Sequence, residues 1–134
     1  MSFEVGQSLP EQSYRVTRAD LVRYAGASGD FNPIHWSDRV ARSVGLPGVI
    51  AHGMFTMALA ARAVDTWAGE PGRVRELGGK FTRPVVVPDD DAGAIVTVTG
   101  TVSEVTDETV RIALDVRCAG EKVLGMPKAV LARG

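Results

Sequence analysis

From Val49 to Ala68 the chain reads VIAHGMFTMALAARAVDTWA, apolar on nearly every face of a helix until Arg62 and Asp65. A cylinder that is apolar all round must be covered by another layer, so the stretch predicts a buried helix. Ala58, Ala60, Ala61 and Ala63 keep it slim, which lets a sheet approach closely. A membrane span is the rival reading. His52, Thr56, Arg62 and Asp65 leave no continuous apolar run near the roughly 20 residues a bilayer requires, so no membrane insertion is expected. Met54, Met57 and Trp67 are expected in the core.

The rest of the chain must supply the cover. Its 134 residues suit one domain, expected to span 1–134, and 45% hydrophobic with 23% charged residues is ordinary for a globular protein. With 15 basic against 16 acidic residues the net charge is -1, so no global field draws in nucleic acid, and none is expected as a partner. The N-terminal MSFEVGQSLPEQSYRV lacks the basic and apolar regions of a secretory signal, and Cys118 has no second cysteine to pair with. A cytoplasmic location and a buried, reduced Cys118 are expected.

Ser2 to Val16, interrupted by Gly6 and Pro10, reads as an edge element. Thr17 with Asp20 looks like a helix N-terminus; the helix should run to about Ala27, and Gly29 permits a sharp exit. Ser37 and Asp38 open a second, short helix that Gly45, Pro47 and Gly48 end. After the apolar helix, Arg73 to Val87 reads as a strand with a possible bulge at Gly78-Gly79 and a turn at Pro84, and Asp89-Asp90-Asp91 as a solvated loop tip. Ala94–Val105 and Thr109–Cys118 alternate as a hairpin, with Val110, Ile112, Leu114, Val116 and Cys118 on one face. A last strand over Lys122 to Leu131 must take an edge position or a bulge because of Pro127. Helices followed by hairpins imply an α+β fold, an antiparallel sheet covering one long helix, with free edges that a partner subunit could cover.

Two histidines flank the start of this arrangement. Asp30 and His35 lie on a loop stiffened by Pro33, and an imidazole beside a carboxylate can move protons near neutral pH. The same spacing serves equally well as a turn with a packed histidine. His52-Gly53-Met54 opens the apolar helix, where first-turn N–H groups suit an oxygen that gains negative charge. Proton transfer beside a thioester carbonyl needs both parts, a base or acid at the carbon and donors at the oxygen. Asp30, His35 and His52 could instead bind zinc, although no paired-histidine helix motif accompanies them. The basic residues Arg39, Arg42, Arg62, Arg73, Arg75, Lys80 and Arg83 read as solvated faces, some of them available to phosphate groups.

Asp30-Phe31-Asn32-Pro33-Ile34-His35 followed by Ala51-His52-Gly53-Met54 resembles the signature of the MaoC-like (R)-specific enoyl hydratases and dehydratases. The likeness is strongest to the catalytic B-type subunit of actinobacterial (3R)-hydroxyacyl-ACP dehydratases, and it includes Tyr24-Ala25-Gly26, Trp36 and Thr56-Met57. It implies the hot dog fold and a lyase interconverting (3R)-3-hydroxyacyl and trans-2-enoyl thioesters carried on acyl carrier protein or CoA. By the same resemblance Asp30 and His35 are the catalytic pair, the Gly53 N–H is the oxyanion donor and Asn32 fixes the loop from behind. His52 marks the helix start. Neither a cofactor nor a metal is expected.

Where many stand-alone (R)-hydratases carry a serine further along the helix, this chain has Ala61. The resemblance therefore implies a dimer, with a heterodimer that includes a non-catalytic hot dog paralogue as one form. A homodimeric CoA-linked hydratase is the alternative enzyme, and a non-catalytic acyl-binding or scaffolding subunit the alternative of another class.

Overall fold

The computed structural model of the protein describes residues 2–134. Strand β1 (Ser8–Val16) leads into helix α1 (Arg18–Ser28); a 3-10 turn (Pro33–His35), the short helix α2 (Asp38–Ser43) and the long helix α3 (Gly53–Ala68) follow. Then come β2 (Val74–Phe81), β3 (Ala94–Val105), β4 (Thr109–Cys118), the two-residue β5 (Glu121–Lys122) and β6 (Leu124–Ala132). All strand pairs are antiparallel, in the order β1-β3-β4-β6-β2, with β5 pairing against β4.

The expected arrangement, a long helix covered by an antiparallel sheet, is the one observed. Helix α3 buries Met57, Leu59, Ala60, Ala63, Val64, Trp67 and Ala68 together with the inward residues Val96, Val98, Val102, Val110, Ile112, Leu114 and Val116 of β3 and β4. Contact is closest at Gly100. A Cβ there would lie 2.9 Å from the Trp67 ring, so only glycine lets the indole rest on β3. The indole N–H in turn donates to Pro10 O at 2.7 Å, fastening edge strand β1 to the helix.

Four expectations need correction. Met54 is exposed rather than core, because α3 turns a stripe of Met54, Ala58 and Arg62 away from the sheet. Val49–Ala51 is extended, bridged at Ile50 to Val86, and the helix starts only at Gly53. The last strand is split in two, and Cys118 is half-buried rather than buried; its desolvation still raises the thiol pKa.

Pro127 takes the second of its two expected solutions. β6 lies inside the sheet, and the pairing with β2 shifts register between Gly78 and Lys80. A Cβ on Gly79 would sit 3.1 Å from Pro127 Cα, so this glycine admits the proline at the bulge. Pairing of β6 with β4 extends from Thr109↔Ala132 to Ala113↔Lys128, leaving β5 to pair with the end of β4.

Candidate active site

The loop bearing Asp30 and His35 is built from side-chain to main-chain bonds. Thr17 caps α1 in a capping box with Asp20, and the helix ends at Gly29, whose left-handed backbone (φ 76) turns the chain out. Ser28 Oγ accepts from the Asp30 N–H (3.1 Å), Asp30 Oδ1 from the Asn32 N–H (3.2 Å) and Asn32 Oδ1 from the Ile34 N–H (3.2 Å). Short polar side chains thus satisfy in sequence the amides that an irregular loop would leave open. Pro33, which has no N–H, starts the 3-10 turn, and Ser37 caps α2 through the Val40 N–H.

The extended segment Val49–Ala51 is the strap that holds this loop against the sheet side. On one edge the Ile50 N–H donates to Ile34 O (3.1 Å) and His35 Nδ1 to Ile50 O (2.7 Å). On the other, the Ala51 N–H donates to Val85 O (2.9 Å) and the Val87 N–H to Val49 O (3.0 Å). Asp38 Oδ1 accepts from both the Val49 N–H (3.0 Å) and Arg18 Nη2 (2.9 Å), while Arg18 Nε donates to Val87 O (2.6 Å). The Val49 amide first, and the Arg18 guanidinium after it, hold the Asp38 carboxyl below the usual carboxylate range.

A carbonyl oxygen cannot donate, so the bond to Ile50 O puts the imidazole hydrogen of His35 on Nδ1. In the neutral ring Nε2 is then a lone pair, and it faces Asp30 Oδ2 at 3.9 Å. That gap is too long for a direct hydrogen bond and short enough for one oxygen atom to bond both groups. His35 is buried and Asp30 is half-exposed at 52%, so the pair spans the boundary between protein and solvent.

His52 lies beneath them, 2% exposed. Its ring stacks on His35 with centroids 3.8 Å apart and planes 21° apart, and packs against Tyr24 at 4.7 Å. His52 Nε2 is 3.1 Å from Asp30 O, and its buried Nδ1 has no partner among the described residues. Asp30, His35 and His52 offer ligand atoms within 4.8 Å of one another, as the zinc reading requires. Stacked rings, however, aim their in-plane nitrogens along nearly parallel planes, and a tetrahedral ion needs donors that converge. The set fits a metal poorly.

A cleft of about 340 Å³ opens beside His35, lined by Ala51, Gly53, Thr56, Phe81, Val85 and Val123 among others. Gly53 is the first residue of α3, and helix geometry leaves its N–H without an acceptor inside the helix. A Cβ on Gly53 would lie 3.0 to 3.2 Å from the Phe81 ring, so glycine keeps this approach to the amide open. Thr56, one turn deeper, is buried and presents a hydroxyl with no bond among the described residues.

Comparison with known proteins decides the family. The model of the MaoC like domain matches residues 2–118. The chain belongs to the MaoC-like domain family. A solved MaoC-like dehydratase superposes with TM-score 0.93 at 35% identity over 98% of this chain and 41% of that one. An R-hydratase of Pseudomonas aeruginosa superposes with TM-score 0.82 at 32% identity, over 97% and 82%. The 3-hydroxyacyl-thioester dehydratase X of Mycobacterium tuberculosis is 42% identical over 79 residues, 59% of this chain and 27% of that protein. The matched segment therefore spans about a quarter of the length of that relative.

All four residues singled out in the sequence fall in one region of this MaoC-like domain: Asp30 and His35 face each other, Asn32 caps the turn between them and Gly53 lines the adjoining cleft. Sequence reasoning treated His52 as a helix marker and missed that it touches both Asp30 and His35. It also passed over Thr56 as a site residue. A threonine one turn inside an otherwise apolar helix start was the available signal.

Proposed function

We propose that the chain is a hydro-lyase interconverting (3R)-3-hydroxyacyl thioesters and trans-2-enoyl thioesters, acting in type II fatty acid elongation on acyl carrier protein. The observation that carries this reading is the lone pair of His35 Nε2 facing the Asp30 carboxylate beside a cleft lined by Gly53. In the hydration direction, an oxygen between the two acceptors donates to both and loses a proton to one of them as it bonds the β carbon. The electrons of the double bond shift toward the thioester carbonyl, whose oxygen takes the negative charge near the Gly53 N–H. The dyad then returns the proton to the α carbon. Dehydration reverses each step: the α C–H bond breaks, the β hydroxyl leaves as water, and the double bond forms. Asn32 holds the loop and takes no proton.

The similarity to a 3-hydroxyacyl-thioester dehydratase supports the dehydration of such a thioester. A second reading, a homodimeric CoA-linked (R)-enoyl hydratase, draws on the likeness to an R-hydratase of similar length. The working unit is proposed to be residues 1–134 as one domain, since β6 lies past the family match yet pairs between β4 and β2. It is proposed to act as a dimer, with itself or with a non-catalytic hot dog paralogue, covering the free edge of β2 and the exposed stripe of α3.

Hydration of crotonyl and longer trans-2-enoyl thioesters, on CoA and on carrier protein, with and without the paralogue, tests the reading. Turnover is expected, and Asp30→Asn and His35→Ala should each lower it by at least about a hundredfold with the fold intact. Near-normal rates in both variants would remove Asp30 and His35 from the catalytic role, and a wild type without turnover would favour an acyl-binding subunit.

A further inference from the structure

His52 is the one buried titratable group of the site that the proposed steps do not use, and it contacts both members of the dyad. Asp30 O can only accept, so the nitrogen 3.1 Å from it must carry the hydrogen, which makes His52 the Nε2–H form. A hydrogen on Nδ1 would be a buried donor without an acceptor, whereas an unpaired lone pair there is the more tolerable orphan. His35 has the opposite tautomer, with Nδ1–H on Ile50 O.

We propose that His52 is a positioning residue, locked in the tautomer opposite to that of His35, which sets both the ring plane of His35 and the backbone of Asp30. Its reach covers what the other contacts leave free. The bond to Ile50 O anchors one atom of the His35 ring but leaves rotation about that anchor open, and the stack at 3.8 Å closes it. The Asp30 side chain is half-exposed and held by one amide, and the His52 N–H ties the residue's carbonyl to the start of α3. Tyr24, packed on His52, keeps that ring from tilting away. One buried imidazole thus fixes the 3.9 Å gap between the acceptors.

The inference rests on the hydro-lyase reading for its kinetic part and not for its spectroscopic part. The chain has only two histidines, so 15N-histidine NMR of the wild type can be assigned by the loss of one set of signals in His52→Gln. One ring is expected as the Nδ1–H form (His35) and one as the Nε2–H form (His52). A His52 that carries its hydrogen on Nδ1, or averages between forms, overturns the proposal.

In kinetics, His52→Phe keeps a stacking ring and loses the donor, and His52→Gln keeps a donor and loses the ring. Each should lower kcat per folded molecule by roughly tenfold to a hundredfold with KM within about twofold of wild type, as misplacement of a reacting group predicts. Wild-type kcat in both folded variants would overturn the positioning role. A wild-type protein with no turnover would instead end the hydro-lyase reading, and the tautomer pattern would then decide the part of His52 alone.

Discussion

The two ends of α3 are built on opposite rules. At the C-terminal end the helix cap and a buried cation are fully bonded. Gly69 takes a left-handed backbone (φ 82) and returns its N–H to Asp65 O and Thr66 O. Arg73, 9% exposed, places its charge at the negative end of the helix, with Nη1 on Ala68 O (3.0 Å), Nε on Ala132 O (3.0 Å) and Nη2 on Arg133 O (2.7 Å). At the N-terminal end, His52 supplies no side-chain cap, its Nδ1 is orphaned, and the Gly53 amide and Thr56 hydroxyl face a cleft. Within one helix, the end proposed to carry the chemistry leaves an amide and an imidazole nitrogen open, and the end that anchors the fold bonds its cap and its buried guanidinium.

The largest effect should come from the bonded end. Arg73→Met fills similar volume but strands three carbonyls, and it should cost about 3 kcal/mol in urea unfolding. Turnover per folded molecule should be unchanged. A rate loss beyond the loss of folded protein would break the division between the two ends. At the open end the sign is reversed: Gly53→Ala adds a methyl that the half-exposed Phe81 ring must swing away from, between the cleft and the amide. Turnover of a 2-enoyl thioester should fall roughly tenfold to a hundredfold, with stability within about 0.5 kcal/mol of wild type.

The contrast also separates what was legible in the sequence from what was not. Thr17 with Asp20, Ser37 with Asp38, and the alternation from Val110 to Val116 are local signals, each settled by bonds or packing within a few residues. The elements they predict formed at nearly those positions. The place of β6 inside the sheet depends on β2, some fifty residues away, and on a fit between Gly79 and Pro127 that neither residue announces alone. Met54 was misplaced because an apolar side chain reads the same whether sheet or solvent faces it. In the site, Asp30 and His35 stood out by type and spacing, and the family motif joined Gly53 to them. The stacking of His52 on His35 arises only when the strap Val49–Ala51 closes against the loop, so no spacing encodes it.

That strap has its own test, smaller than the loss in Arg73→Met. The Asp38 carboxyl is held below its ordinary value, chiefly by the Val49 amide, so folding favours its charged form. Its contribution is fully present above the unfolded carboxylate range and is lost as pH falls through the lowered folded value. Asp38→Asn should therefore destabilise at neutral pH, and the difference from wild type should shrink as acid is added. A pH-independent difference would assign the effect to the hydrogen-bond geometry alone.

The smallest effect, Thr56→Val, is the sharpest on the comparison because the two side chains have nearly the same shape. Thr66, on the same helix, donates its hydroxyl to Arg62 O at 3.0 Å, as helical threonines commonly do. Thr56 makes no such bond among the described residues and lines the cleft. If that hydroxyl bonds the substrate, Thr56→Val should lower kcat/KM about fivefold, the worth of roughly 1 kcal/mol, and Thr56→Ser should restore most of it. Urea unfolding should show no loss, since the valine buries no unsatisfied polar atom. A destabilised Thr56→Val with wild-type turnover would move Thr56 to the bonded class, and the boundary between the two ends of α3 would then lie before its second turn.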